Sequence, residues 1–160
     1  MSLEDQIRTF FKGDEKRPIL IGVGNSLRGD DAVGLTVIDE FESLKPSKTI
    51  TIKAETYPEA YLTKVTNNKP SHVMFIDAAN LGYSPGDAKL ISVNYVLGGS
   101  LSTHKLPLTF FMNYLKTELK TKIILLGIQP LTIELGSKMT PIVFQSAKKI
   151  SLLLFEILEN

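Results

Sequence analysis

The sequence predicts a doubly wound α/β fold, a single domain in which helices cover both faces of a mostly parallel, twisted sheet. Short runs that are apolar on both faces alternate along the chain with segments of helical periodicity. The chain has 160 residues, 43% of them hydrophobic, which suits one compact core. Alternating strands and helices favour parallel pairing through crossover connections and a three-layer sandwich. We therefore expect one domain over residues 1–160.

The first half of the chain contains two predicted strands and two predicted helices. Residues 19–23 are apolar on both faces and predict a buried strand. In segment 32–44 apolar side chains recur at helical spacing, at Val33, Val37, Phe41 and Leu44, which predicts a helix. Residues 49–56 alternate as a strand does, and 58–68 begins with a proline, which suits a first helical turn.

The second half continues the alternation. Residues 72–80 predict a third buried strand, and 85–93 predict a turn followed by a short edge strand. A helix over 105–119, a buried strand over 122–130 and a long closing helix over 140–159 complete the pattern. Near the N-terminus, residues 7–11 form either a short helix packed on the sheet or a partner contact, and we favour packing.

Composition excludes several classes of function. Eighteen basic residues balance 17 acidic ones without long blocks of either sign, which argues against nucleic-acid and anionic-membrane surfaces. The absence of cysteine excludes disulfides, thiolate metal sites and a cysteine nucleophile. No apolar run approaches the roughly 20 residues of a membrane span, and residues 1–17 lack a signal-peptide core, so we expect a soluble, cytoplasmic protein.

The segment GVGNSLRGDDAVG, residues 22–34, raises the question of what Asp30 and Asp31 do. A glycine-rich turn between a strand and a helix usually attracts phosphate, but two carboxylates would repel it. The dinucleotide fingerprint also fails, because Leu27 stands where its third glycine belongs. A nucleotide-binding domain is therefore disfavoured. Either the turn holds a cation, or the acidic residues cap a helix.

Asp31, Asp77 and His104 are predicted to converge. Asp31 follows the first strand, Asp77 ends the third, and His104 lies in the loop before a helix. Ligands of doubly wound folds bind outside the carboxyl ends of the strands, so we expect these residues to line a solvent-facing cleft there. Two carboxylates and an imidazole suit a first-row divalent ion. Taken alone, an aspartate here more often caps a helix or orders a turn, and a histidine such as His104 is more often a surface or hydrogen-bonded residue. His72 begins its strand and should lie at the opposite edge.

Four ordered blocks resemble a known family. They are GVGNSLRGDDAVG (22–34), FIDAANLGYSPG (75–86), STHKLPL (102–108) and GIQPLTIELGSKMTP (127–141). Together they are similar to the hydrogenase maturation proteases, endopeptidases that process the large subunit of [NiFe] hydrogenases. The resemblance implies a metal-dependent cytoplasmic endopeptidase that removes a C-terminal extension from the precursor after nickel insertion.

The resemblance also implies roles for individual residues. The family's metal-binding and catalytic positions fall on Asp31, Asp77 and His104. Nickel is expected to arrive with the precursor, and other divalent ions should bind weakly. It would polarise the scissile carbonyl or activate a water molecule. For Asp30 we expect a role at the start of a helix. A further hypothesis is that Asp30 assists the reaction as a base. Gly98 and Gly99 either let the loop before His104 adjust or are ordinary turn glycines.

One alternative from another class stays open. A non-enzymatic nickel-sensing or chaperone module could bind the precursor without cleaving it. The sequence contains no G-x-S-x-G, H-E-x-x-H or P-loop signature that would favour a different chemistry.

Overall fold

The structure is a computed structural model that describes residues 1–14, 16–94 and 105–160. In this part of the chain, five strands form one sheet that lies between two layers of helices. The strands are β1 (Pro18–Val23), β2 (Ile50–Glu55), β3 (His72–Ala78), β4 (Ala88–Ser92) and β5 (Lys122–Ile128). The predicted α/β fold class is confirmed.

The order of the strands places the carboxyl ends of β1 and β3 side by side. The order is β2-β1-β3-β5-β4, and all neighbours are parallel except the edge strand β4, which pairs antiparallel to β5. After β1 the chain adds β2 on one side, and after β2 it crosses to β3 on the other. The strand order therefore reverses between β1 and β3, where open α/β sheets bind their ligands.

Helices cover both faces of the sheet. The helices are α1 (Leu3–Phe10), α2 (Val33–Ser43), α3 (Leu62–Asn67), α4 (Lys105–Glu118) and α5 (Pro141–Glu159). One core cluster joins the sheet to α1, α2 and α5, through side chains such as Phe41 and Leu154. A second cluster on the other face includes Val65 of α3 and Phe111 of α4.

The N-terminal segment forms a helix that packs on the core. Ser2 caps α1, and a capping box links its side chain and backbone to Asp5. Ile7 and Phe11 are fully or almost fully buried in the first core cluster. The packing interpretation of residues 7–11 is confirmed, and the Ser-x-x-Asp pattern is the signal for the start of the helix at Leu3.

Two predicted helices differ in detail from those observed. The segment predicted as one helix over 58–68 divides into a 3₁₀ turn, Pro58–Tyr61, and the short helix α3. A second 3₁₀ turn, Gly29–Ala32, precedes α2 and contains both aspartates of the glycine-rich segment. Tight 3₁₀ turns are frequent at helix N-termini, and apolar periodicity does not distinguish them from a first α-helical turn.

No helix within the described residues combines the length and the apolar character needed to cross a membrane.

Candidate active site

Asp31 and Asp77 lie at the same edge of the sheet, as predicted from their strands. Asp77 is the penultimate residue of β3, and Asp31 lies in the 3₁₀ turn that follows β1 and packs against β3. β1 and β3 are hydrogen-bonded neighbours, with Gly22 paired to Ile76. The sheet therefore brings the two carboxylates to the point where its strand order reverses.

The turn after β1 holds Asp31 through backbone contacts. The Asn25 amide donates to Asp31 Oδ2 over 3.1 Å, and the Asp31 amide donates to the Arg28 carbonyl over 3.1 Å. A Cβ on Gly24 would lie 2.2 Å from the Asp31 carbonyl oxygen, so only glycine permits this approach. The glycine-rich turn thus wraps closely around Asp31.

A second glycine, Gly34, allows α2 to pack closely against β1 and β3. A Cβ on Gly34 would lie 2.1 Å from the Ile76 carbonyl oxygen and 2.4 Å from that of Val23. α2 therefore approaches the ends of β1 and β3 within backbone contact distance. This packing fixes the position of the turn that carries Asp31 relative to Asp77.

The prediction that the aspartates line a solvent-facing cleft is wrong. Asp31 is 2% exposed and Asp77 is fully buried. β3 is a central strand, and the 3₁₀ turn and α2 pack against it, so the end of the strand is covered.

The third predicted ligand lies outside the described residues. His104 belongs to the stretch 95–104, as do Gly98 and Gly99, so the predictions for these three residues stand untested. Within 1–14, 16–94 and 105–160, no three His, Asp or Glu side chains form a group that could hold a metal ion. The ligand set of Asp31, Asp77 and His104 remains a prediction.

Asp30 stabilises the start of a helix, and that helix is α5. It does not cap α2, the helix that directly follows it in sequence. Its fully buried carboxylate accepts hydrogen bonds from the amide of Thr140 over 2.7 Å and from the Thr140 hydroxyl. Thr140 is the N-cap residue of α5. The same carboxylate accepts from the amides of Leu131 and Thr132 over 2.9 and 3.2 Å. Both oxygens are occupied by protein donors, so we assign Asp30 a structural role and not that of a base.

The loop after β5 is attached to the loops after β1 and β3. The Gly29 amide donates to the Ser137 carbonyl over 3.1 Å, and the Gly136 amide donates to the Leu27 carbonyl over 2.8 Å. On its other side, Gln129 Oε1 accepts from the Leu81 amide over 2.7 Å. Sequence reasoning missed both Gln129 and Thr140 as organising residues. A threonine directly before the first proline of a helix is the one signal that pointed to Thr140.

His72 lies at the amino end of β3, opposite Asp77, as predicted. It is almost completely buried, its Nδ1 lies 2.9 Å from Ser71 Oγ, and its ring contacts Phe10 and Phe11. Burial, with a smaller effect from the nearby Lys122 charge, lowers the pKa of His72. His72 is therefore a neutral packing residue remote from the candidate site.

The sequence of this chain is similar to those of a known protein family. The family model for the HycI hydrogenase maturation proteases matches residues 36–157. A Methanocaldococcus jannaschii protein named as a hydrogenase maturation protease is 35% identical over 127 residues, which cover 74% of this chain and 75% of that one. The Hydrogenase 3 maturation protease of Escherichia coli is 27% identical over 113 residues, covering 70% of this chain and 72% of its own.

A solved structure extends the likeness to the whole fold. The crystal structure of the [NiFe] hydrogenase maturation protease HycI from Thermococcus kodakarensis matches with a TM-score of 0.88 and 31% identity. The match covers 97% of this chain and 99% of that one, so the likeness extends over nearly the whole fold. The family model and the 35% identical relative together establish that the chain belongs to the hydrogenase maturation protease family.

Proposed function

We propose that this protein is an endopeptidase that removes a C-terminal extension from the precursor of a [NiFe] hydrogenase large subunit. The observation that carries the proposal is the placement of Asp31 and Asp77 at the adjoining carboxyl ends of β1 and β3 in a member of this protease family. Nickel already inserted into the precursor is the group that these carboxylates recognise, and His104 supplies a nitrogen ligand. A soluble cytoplasmic location, where the precursor is made, forms part of the same proposal.

The chemistry of the site supports a cation more than an anion. Two carboxylates close to one strand junction repel phosphate and attract a divalent ion. Carboxylate and imidazole ligands suit nickel and leave coordination positions for atoms of the precursor. The chain contains no cysteine, so it supplies neither a thiolate ligand nor a thiolate nucleophile.

In this proposal, the nickel carried by the precursor takes the direct part in catalysis. Nickel held between the precursor and the protein polarises the scissile carbonyl or activates a water molecule for attack. Asp31 and Asp77 orient the metal relative to the peptide bond. Both carboxylates are buried, so nickel reaches them only when the atoms that cover them move as the precursor docks.

Cleavage of a defined precursor tests the proposal. Purified protein is incubated with a nickel-loaded and a nickel-free large-subunit precursor, and intact mass is followed over time. We expect loss of one C-terminal peptide from the nickel-loaded form only. Stable binding without any change in mass would overturn the protease proposal and favour a nickel-sensing chaperone. Equal cleavage of both forms would refute recognition of nickel.

A further inference from the structure

Four exposed aliphatic side chains lie on two joined loops beside the candidate site. Leu27 is 65% exposed on the loop after β1, and Leu131, Ile133 and Leu135 are 61%, 38% and 67% exposed on the loop after β5. We call these four residues the apolar lip. Single exposed aliphatic residues are common on protein surfaces, but several of them on adjoining segments favour an interaction site.

Backbone hydrogen bonds hold the two loops of the apolar lip together. The Gly136 amide donates to the Leu27 carbonyl over 2.8 Å. The Asp30 amide donates to the Thr132 carbonyl over 3.0 Å, and the Asp30 carboxylate accepts from the Leu131 amide over 2.9 Å. The lip is therefore built on fixed backbone, and docking on it requires little ordering of the loops.

The apolar lip adjoins the turn that carries the candidate ligand Asp31. Both of its loops follow the carboxyl ends of parallel strands, β1 and β5, at the edge where Asp77 ends β3. Asp30 contacts the lip through its carboxylate, while the next residue in the chain, Asp31, belongs to the proposed site. A polypeptide whose cleavage point lies at Asp31 and Asp77 would therefore lie close to these loops.

Charged side chains accompany the apolar lip. Arg28, Glu134 and Lys138 are all exposed on the same two loops. Protein–protein interfaces combine apolar side chains with polar ones in this way. The mixed signs of these charges favour a partner that presents an apolar segment rather than a strongly charged one.

We infer that the apolar lip is the docking surface for the hydrogenase precursor, which places an apolar segment of its chain there while nickel occupies the site. This inference rests on the proposed function, because the surface is continuous with the place where that function puts the scissile bond. It assigns the lip residues a part in the choice of substrate rather than in the chemical step.

The test compares substitutions in the lip with a matched substitution elsewhere. L131S with L135S is the lip variant, and L152S is the control, because Leu152 is 57% exposed on α5 and lies beside Leu44, at the far end of α2 from the site. Melting temperature, direct binding to the nickel-loaded precursor, and KM and kcat for cleavage are measured for each. We expect the lip variant to weaken binding and raise KM at least tenfold, with kcat and melting temperature unchanged, and L152S to match the wild type.

The measurements separate failure of this inference from failure of the proposed function. Wild-type binding and KM in the lip variant would overturn the inference while leaving protease activity in place. Weakened binding in the lip variant, without cleavage by the wild type, would support the docking surface and overturn the protease. If sedimentation shows a wild-type dimer that the lip variant dissociates, a second copy covers the lip and the inference is overturned.

Discussion

Asp30 and Asp31 are consecutive in sequence, yet their carboxylates contact different parts of the molecule. Asp30 accepts hydrogen bonds from Leu131, Thr132 and Thr140, about a hundred residues away along the chain. Asp31 accepts from the Asn25 amide within its own turn, at the ends of β1 and β3. The pair thus combines a residue that fixes the loop after β5 with a residue for which we propose a role in recognising nickel.

Replacing Asp30 should destabilise the fold. In D30N an amide group replaces one acceptor oxygen and faces protein N–H and O–H donors, so buried donors lose their partner. We expect a loss of about 2–4 kcal/mol, from the known strength of hydrogen bonds to charged groups. Thermal unfolding measures it, with D39N as the control, because Asp39 is an exposed residue of α2 and its surface ion pair with Lys53 contributes at most about 1 kcal/mol. An unchanged melting temperature for D30N would contradict the structural role.

Adding a methyl group at Gly34 should displace α2. The new Cβ would lie 2.1 Å from a backbone oxygen of β3, which cannot move aside as a flexible side chain can. We expect G34A to lose at least about 1–3 kcal/mol, the range for overpacked cores. G13A is the control, because the nearest atom to a Cβ there is 3.9 Å away. Equal unfolding midpoints in denaturant for G34A and wild type would show that α2 does not sit this close.

The buried His72 should make stability depend on pH. Its pKa is lowered in the folded state by burial, so folding favours the neutral ring. That contribution is complete above the ordinary histidine value of about 6.5 and is lost as pH falls below it. We expect the wild-type melting temperature to fall from pH 7.5 to 5.5, and H72Q to show a smaller fall. Parallel curves for the two proteins would contradict this assignment.

Cleavage activity should survive changes at His72. The residue lies at the opposite end of β3 from Asp77, so H72Q should cut the precursor at the wild-type rate at a temperature where it is folded. H72A is a poor control, because removing a ring packed against Phe10 and Phe11 leaves a cavity. A loss of activity in folded H72Q would place His72 in the reaction.

Metal removal should leave the fold intact. The core clusters on both faces of the sheet are apolar, so we expect them to pack without a metal. Unlike a zinc finger, whose metal-binding energy is its folding energy, this protein should keep its melting temperature in a chelator. Circular dichroism with and without the chelator measures this. A large loss of helical signal would mean that a structural metal holds the fold.

Hydrophobic periodicity predicted the elements of the fold well because the apolar positions that carry it are the ones that are buried. The apolar positions Val33, Val37 and Phe41 of α2 are fully buried, and β1 and β3 are buried along their whole length. The ends of elements were less predictable. Segment 58–68 changes from a 3₁₀ turn to an α-helix at Leu62, a difference in hydrogen bonding that apolar spacing does not encode.

The sequence was enough to predict the sheet edge at which the candidate site lies, but not how deeply its carboxylates are buried or which residues they contact. Parallel strands place their carboxyl ends at one edge, which was enough to bring Asp31 and Asp77 together from sequence. Their burial depends on how closely α2 approaches through Gly34, and the partners of Asp30 lie in a distant loop. Both are long-range packing features for which a single sequence gives no local signal.

The central claim is that Asp31 and Asp77 recognise nickel in the precursor, and cleavage by their asparagine variants tests it most directly. The rate of peptide release from nickel-loaded precursor is measured for wild type, D31N and D77N. D39N serves as the control because it makes the same chemical change on an exposed surface. Melting temperatures of the same samples establish that each variant is folded at the assay temperature.

We predict that folded D31N and D77N release no peptide, because each loses a charge that holds the metal, while D39N matches the wild type. Release of the peptide at the wild-type rate by folded D77N would contradict the account, since the carboxylate at the end of β3 would then serve only the fold.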